Sequence, residues 1–208
     1  MISYDLGFRL IILFFSIVVH EYFHGYIALK SGDPTAKYAG RLTFNPIPHI
    51  DIVGTIIIPL FLIISGSSFL FGWAKPVPVN PANFKNPAVD SVKVSAAGPL
   101  SNFCLAIGFA VIIILFGNIS PDLTRAFHFG IFINLLLAVF NLIPVPPLDG
   151  SHILEYFLPY EWKIKYARIQ QYGFLILILI IMTPLFSVIT SIVYFLYSLV
   201  NIFISMFI

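Results

Sequence analysis

Long uncharged apolar runs alternate with short polar stretches along the whole chain. Residues 6–29 form the first run, with Arg9 near its start and His20, Glu21 and His24 inside it. Residues 52–72, 94–121, 126–148 and 169–208 carry no charged side chain. A helix needs about 20 apolar residues to cross a bilayer, so each run is long enough to do so. As one helix the last run would extend ~60 Å, about two bilayer thicknesses, and Pro184 is the expected break. Residues 30–51 and 73–93 are rich in Pro, Asn and Gly and read as turns and extended pieces.

Composition sharpens this picture. Of the 208 residues, 59% are hydrophobic and 10% charged, with a mean hydropathy of +0.98, whereas soluble domains carry about 25% charged residues. The expectation is an all-α, polytopic integral membrane protein, residues 1–208 forming a single membrane-embedded domain whose standing partner is the lipid bilayer. The net charge of +2 is spread thinly, which leaves no basic stripe for nucleic acid. The lone cysteine, Cys104, excludes a disulfide framework and a cysteine-based metal site within the chain. No signal-peptide pattern stands at the amino terminus, and nothing in the pattern specifies an oligomeric state.

The chemistry begins at His20-Glu21-Tyr22-Phe23-His24. Histidines at i and i+4 stack on one helix face, so two imidazoles can hold one zinc ion. Zinc lowers the pKa of a water toward ~7, and Glu21 is placed to accept its proton. From the 5 His and 3 Glu of the chain, chance predicts about 0.002 such motifs. The plainer alternative makes these groups hydrogen-bonded core residues. Each ionisable group at mid-bilayer costs ~2.5 kcal/mol or more, which favours function. A catalytic zinc site takes three protein ligands and an open position. Asp149, His49, His128 and His152 are candidates for the third, and Asp149-Gly150 after a proline-rich turn reads equally as an Asx turn.

Three motifs occur in order on apolar segments: the HExxH run, Ala97-Gly98-Pro99-Leu100-Ser101-Asn102, and Asn141-Leu142-Ile143-Pro144-Val145-Pro146-Pro147-Leu148-Asp149-Gly150. This order resembles the site-2 protease family of intramembrane zinc metalloproteases. Gly40-Arg41-Leu42-Thr43-Phe44-Asn45-Pro46 and Gly72-Trp73-Ala74-Lys75-Pro76-Val77-Pro78 look like its compact prokaryotic branch. The resemblance spans residues ~15 to 155. It implies His20, His24 and Asp149 as ligands of Zn2+, Glu21 as general base and Asn141 as a polar group near the reacting carbonyl. It also implies a membrane protein or peptide as substrate and a bacterial or archaeal cell membrane as location.

Other readings stand beside these. Asn141 fits a capping or interhelical hydrogen bond. Gly98 and Asn102 fit close helix packing. His128 reads as structural, His152 as interfacial, and His49 and Asp51 as possible lining of a substrate path. Glu155 or Glu161 as third ligand would make a different HExxH protease, although neither has that spacing. A non-catalytic membrane zinc-binding or partner-holding protein would not need Glu21, and a metal transporter would need more intramembrane acids and histidines than this chain has.

If Asp149 joins His20 and His24, the ends of the first and fourth runs share one face. Three full crossings between them would separate those ends, so 52–72 is expected to enter the bilayer and leave on the same side; irregular backbone at that depth must line a cavity or be buried. Lys30, Lys37, Arg41, Lys75, Lys85, Lys93, Lys163, Lys165 and Arg168 then share the site's face, with Arg9 and Arg125 opposite. The positive-inside rule places that face in the cytoplasm. In a background lacking Cys104, single cysteines at positions 35 and 83 are expected to react with a membrane-impermeant reagent from the same side. Labelling from opposite sides contradicts the re-entrant reading.

Overall fold

The computed structural model describes residues 4–66, 72–116 and 120–207. Its helices are α1 (Tyr4–Lys30), the short α2 (Thr35–Tyr38), α3 (Ile58–Ile64), α4 (Pro87–Phe116), α5 (Pro121–Asn141), α6 (Asp149–Phe157), α7 (Tyr160–Gln170), α8 (Gly173–Met182) and α9 (Leu185–Ser205). No strand occurs among the described residues. Among the described residues, four helices are long and apolar enough to cross a membrane: α1 from Gly7, α4, α5 and α9. The chain is therefore an all-α, multi-pass membrane protein.

Helices α1, α4 and α5 form the centre, and small residues let them approach closely. In lipid, helix association depends on packing and interhelical hydrogen bonds rather than on apolar burial. Ala106, Ala110, Ala126 and Ile131 are almost wholly buried between these helices. Gly130 lies against the Phe109 ring, where a Cβ would come within 2.8 Å of it. Helix α9 runs against the outer side of α5, with Phe132 packed on Tyr194 and Tyr197.

The helical part of the 52–72 run, Ile52–Ile64, is too short to cross. A π-helical turn over Ile52–Ile57 leads into α3, and these 13 residues rise at most ~20 Å. Asp51 starts the segment by accepting a hydrogen bond from the Gly54 N–H at 2.7 Å. The returning chain is fastened beside this start. The Trp73 N–H donates to the Gly54 carbonyl at 3.2 Å, and the Thr55 hydroxyl donates to the Trp73 carbonyl at 2.8 Å. Entry and exit therefore share one side, as the motif order requires; residues 67–71 of this run lie outside the described residues.

Three boundaries differ from the sequence expectation. Helix α4 begins at Pro87, seven residues before the uncharged run, because proline suits a first helical position and Asp90 pairs with Lys93 at 2.8 Å. Helix α5 ends at Asn141 rather than 148, since Pro144, Pro146 and Pro147 lack the N–H groups a helix needs. The final run is broken twice: α7 and α8 meet at 73°, and Pro184 opens α9 as expected.

Residues 73–80 are extended because Lys75, Val77 and Asn80 each precede a proline. One latch of this segment is Asp33, which is fully buried. Its carboxylate accepts from the Asn80 N–H at 2.7 Å, the Asn83 side chain at 2.8 Å, and the Thr35 hydroxyl and N–H. Burial pushes this carboxyl up, but bonds from Asn83, Thr35 and Asn80 outweigh that and hold it below the usual carboxylate range. The latch joins the neighbourhoods of positions 35 and 83, in keeping with shared sidedness. Asp33→Ala is expected to lower unfolding stability by about 2 kcal/mol at neutral pH, measured by denaturation in detergent. Because the folded carboxyl is depressed, the wild-type advantage is present above about pH 4 and is lost as pH falls through the folded value.

Candidate metal centre

The HExxH run occupies the last turns of α1, where i and i+4 place His20 and His24 side by side. Their Nε2 atoms are 2.9 Å apart. From the first turn of α6, Asp149 brings Oδ2 to 3.3 Å from His20 Nε2 and Oδ1 to 3.3 Å from His24 Nε2. The three residues offer donor atoms that all lie within 4.8 Å of one another. His20 and His24 are buried and the Asp149 side chain is 17% exposed. Neither Glu155 nor Glu161 belongs to this group.

Hydrogen bonds fix which ring nitrogens face inward. His24 Nδ1 lies 2.7 Å from the Val94 carbonyl; a carbonyl only accepts, so Nδ1 carries the proton and Nε2 presents a lone pair. His20 Nδ1 lies 2.6 Å from Asn102 Oδ1, which sets the same tautomer. Two lone pairs thus converge at 2.9 Å next to a buried carboxylate oxygen, Asp149 Oδ2, that receives no hydrogen bond. With both rings neutral, such a cluster holds acceptors alone and needs a cation between them. Nitrogen–nitrogen–oxygen donation with outer N–H groups tied to protein acceptors suits a divalent zinc-type cation.

The site lies in a cavity of about 390 Å³, lined also by Glu21, Val77, Asn141 and His152. Glu21 accepts a hydrogen bond from the Val77 N–H at 2.7 Å, so the extended segment 73–80 borders the candidate base. The same segment is held by the Lys75 N–H on the His49 carbonyl at 2.9 Å and by Arg41 on the Lys75 carbonyl at 2.6 Å. Burial lowers the Arg41 guanidinium below its usual range, although Glu21 opposes the shift. Asn141 donates one amide N–H to the Leu137 carbonyl at 2.9 Å, and its second N–H is left for another acceptor. That bond turns the side chain back onto its own helix, on a residue that also lines the cavity.

The other candidates separate clearly. His49 donates to the Thr43 carbonyl at 3.1 Å, is pushed down by burial, and is absent from the cavity lining. Asp51 caps the re-entrant segment. His128 contacts Tyr197 on the far part of α5, and His152 is exposed at the cavity. Gly98 and Asn102 do more than pack helices. Asn102 bonds to His20, and a Cβ at Gly98 would collide with both imidazoles, coming 2.6 Å from His20 Nε2. Sequence reasoning passed over Asn134 and Ser16, both wholly buried behind Asn102; an asparagine inside an apolar helix was the available signal.

The fold and site define a multi-pass helical membrane protein with a buried two-histidine, one-aspartate donor set beside a glutamate. Within that class, the chain belongs to peptidase family M50, the site-2 protease family. The model of that family matches residues 117–184, which contain Asn141 and Asp149. The chain is 42% identical over 188 residues to the "Putative zinc metalloprotease YwhC" of Bacillus subtilis, covering 86% of this chain and 82% of that protein. It is 30% identical over 181 residues to the "Putative zinc metalloprotease Rip2" of Mycolicibacterium smegmatis, covering 81% and 64%. The Mycobacterium tuberculosis protein of the same name is 31% identical over 170 residues, again covering 81% and 64%. No solved structure matches.

Gly98→Ala is expected to reduce metal retention about tenfold or more by displacing both rings. Metal content after dialysis against a graded chelator measures this; unchanged retention contradicts the close approach of α4 to the histidines.

Proposed function

We propose that the protein is a zinc endopeptidase that cuts peptide bonds within or near membrane-spanning segments, with His20, His24 and Asp149 as metal ligands. The observation that carries this reading is the convergence of three donors from α1 and α6 on a cavity that Glu21 also lines. The relatives named zinc metalloproteases supply the metal and the reaction class. Bound zinc supplies Lewis acidity and makes water a nucleophile near neutral pH.

Glu21 takes the proton from the attacking water and returns it to the leaving amine, so one carboxylate serves as base and then acid. The Val77 N–H keeps that carboxylate at the cavity wall. Asn141 directs its second amide N–H toward the carbonyl oxygen of the scissile bond, where negative charge develops. Buried Val77, Phe84 and Val94 form the apolar part of the cavity wall.

An intact substrate helix shields its carbonyls, so preferred substrates carry Gly, Pro or Asn near the cut or arrive extended. Segment 73–80 borders the cavity as an edge such a strand can use. Its Lys75 and Val77 N–H groups are already engaged, and Pro76 and Pro78 have none. The Trp73 and Lys75 carbonyls are taken as well, by Thr55 and Arg41, so pairing falls to the other backbone groups of the segment, Val79 at the cavity among them. The nine basic residues near the site face, against Arg9 and Arg125 beyond it, favour a site that opens to the cytoplasm.

Purified wild type and Glu21→Gln are expected to hold about one zinc per chain and Asp149→Ala much less. With a membrane-peptide substrate containing a helix-breaking residue, Glu21→Gln should be at least ~100-fold slower than wild type. Full zinc in Asp149→Ala overturns the ligand set. Equal cleavage by Glu21→Gln overturns the role of the base, and zinc-loaded wild type that cleaves no membrane peptide favours a binding protein.

A further inference from the structure

We propose that Asn134 is a positioning residue that sets the tautomer of His20, acting through Asn102 from two residues behind the metal site. The inference deepens the metal-site reading and rests on it for its consequence, though not for its geometry.

The argument follows from which atoms can only accept. Asn134 Nδ2 lies 2.8 Å from the Gly130 carbonyl and 2.8 Å from Ser16 Oγ. The Ser16 hydroxyl donates its own hydrogen to the Ile12 carbonyl at 2.8 Å, so toward Asn134 it presents a lone pair. Both neighbours require a donor, which fixes the amide nitrogen of Asn134 on that side and its Oδ1 on the other. Oδ1 lies 2.8 Å from Asn102 Nδ2, which also points at the Ser16 carbonyl at 3.4 Å. Asn102 must then turn Oδ1 toward His20 Nδ1, 2.6 Å away. That oxygen accepts from an Nδ1–H, and His20 Nε2 is left bare toward His24 and Asp149.

Each link is buried: Ser16, Asn102 and Asn134 have no exposed surface. In a site this dry a reversed amide finds no water to satisfy it, so the polarity of the chain is locked. Without Asn134, only the long 3.4 Å bond to the Ser16 carbonyl still opposes a flip of Asn102 that would offer its NH2 group to His20 and favour a proton on Nε2, the atom needed for the metal. His24 needs no such relay, because the Val94 carbonyl cannot reverse.

The test reads the metal-free protein first. Two-bond 1H–15N correlation of 15N-histidine-labelled protein in detergent assigns the proton of each ring, with the His20 signals identified by their loss in His20→Gln. The wild-type apo protein should carry a His20 proton on Nδ1; a ring protonated on Nε2 alone overturns the proposal whether or not zinc binds. In Asn134→Leu the proton should move to Nε2 in part or fully, and zinc affinity by chelator competition should fall about 10–100-fold. Asn134→Asp, neutral at this depth, keeps an acceptor toward Asn102 and a hydroxyl donor on the other side and should restore both readouts. Asn102→Asp presents an acceptor to His20 in either orientation, so adding Asn134→Leu to it should change zinc affinity less than about twofold. An unaltered His20 tautomer in folded Asn134→Leu, or an equal affinity loss in both backgrounds, contradicts the relay. Absence of zinc from wild type defeats the metal reading instead and leaves the tautomer result standing.

Discussion

Three metal-type donor atoms that converge on one point are the constraint on which this molecule is built. His20 Nε2, His24 Nε2 and Asp149 Oδ2 face one point among membrane helices, where uncompensated polar atoms are costly. The remaining architecture reads as the means of holding that convergence. Helix α4 lies against α1 at Gly98, close enough for Val94 and Asn102 to take the two outer N–H groups. Bonds of Asn134 to Asn102 and to Ser16 tie the same helices to α5. In lipid such bonds serve as interhelical contacts and, here, orient the inner atoms as well.

Bringing Asp149 to the histidines is a problem of chain path. The segment after α1 enters and returns on one side because Gly54 lets the backbone pass beneath Trp73 and Asp51 caps the turn. Helices α4 and α5 then cross away and back. The proline-rich turn ends α5 and starts α6 at Asp149, with Gly150 pressed on the Leu142 and Ile143 carbonyls, where no side chain fits. Opposite this wall, the extended segment held by Asp33, Arg41 and Glu21 closes the other side of the cavity. The proposed base is therefore part of the frame that shapes its own pocket.

Much of this was legible because the informative features are local or are forced by the membrane. The i, i+4 histidine spacing and the uncharged runs are periodic signals, and the need for a third ligand at Asp149 dictates a segment that does not cross. Helix limits were harder to read from charge alone. Asp90 and Lys93 neutralise each other within the first turns of α4, so the helix starts before charge disappears. Gly98 and Asn102 were read as packing residues, and that reading is incomplete: whether an asparagine orients a histidine depends on a contact 82 positions apart in the chain. Asn134 was missed for the same reason, its partner Ser16 lying 118 positions away.

The most direct test of the central claim is X-ray absorption at the zinc edge of the purified, zinc-loaded protein. The proposed site predicts a first shell of nitrogen and oxygen only, at about 2.0–2.2 Å, with the outer-shell scattering of two imidazole rings and four or five ligands in all. A shell without imidazole scattering, or a six-oxygen shell of a loosely held surface ion, would contradict the account.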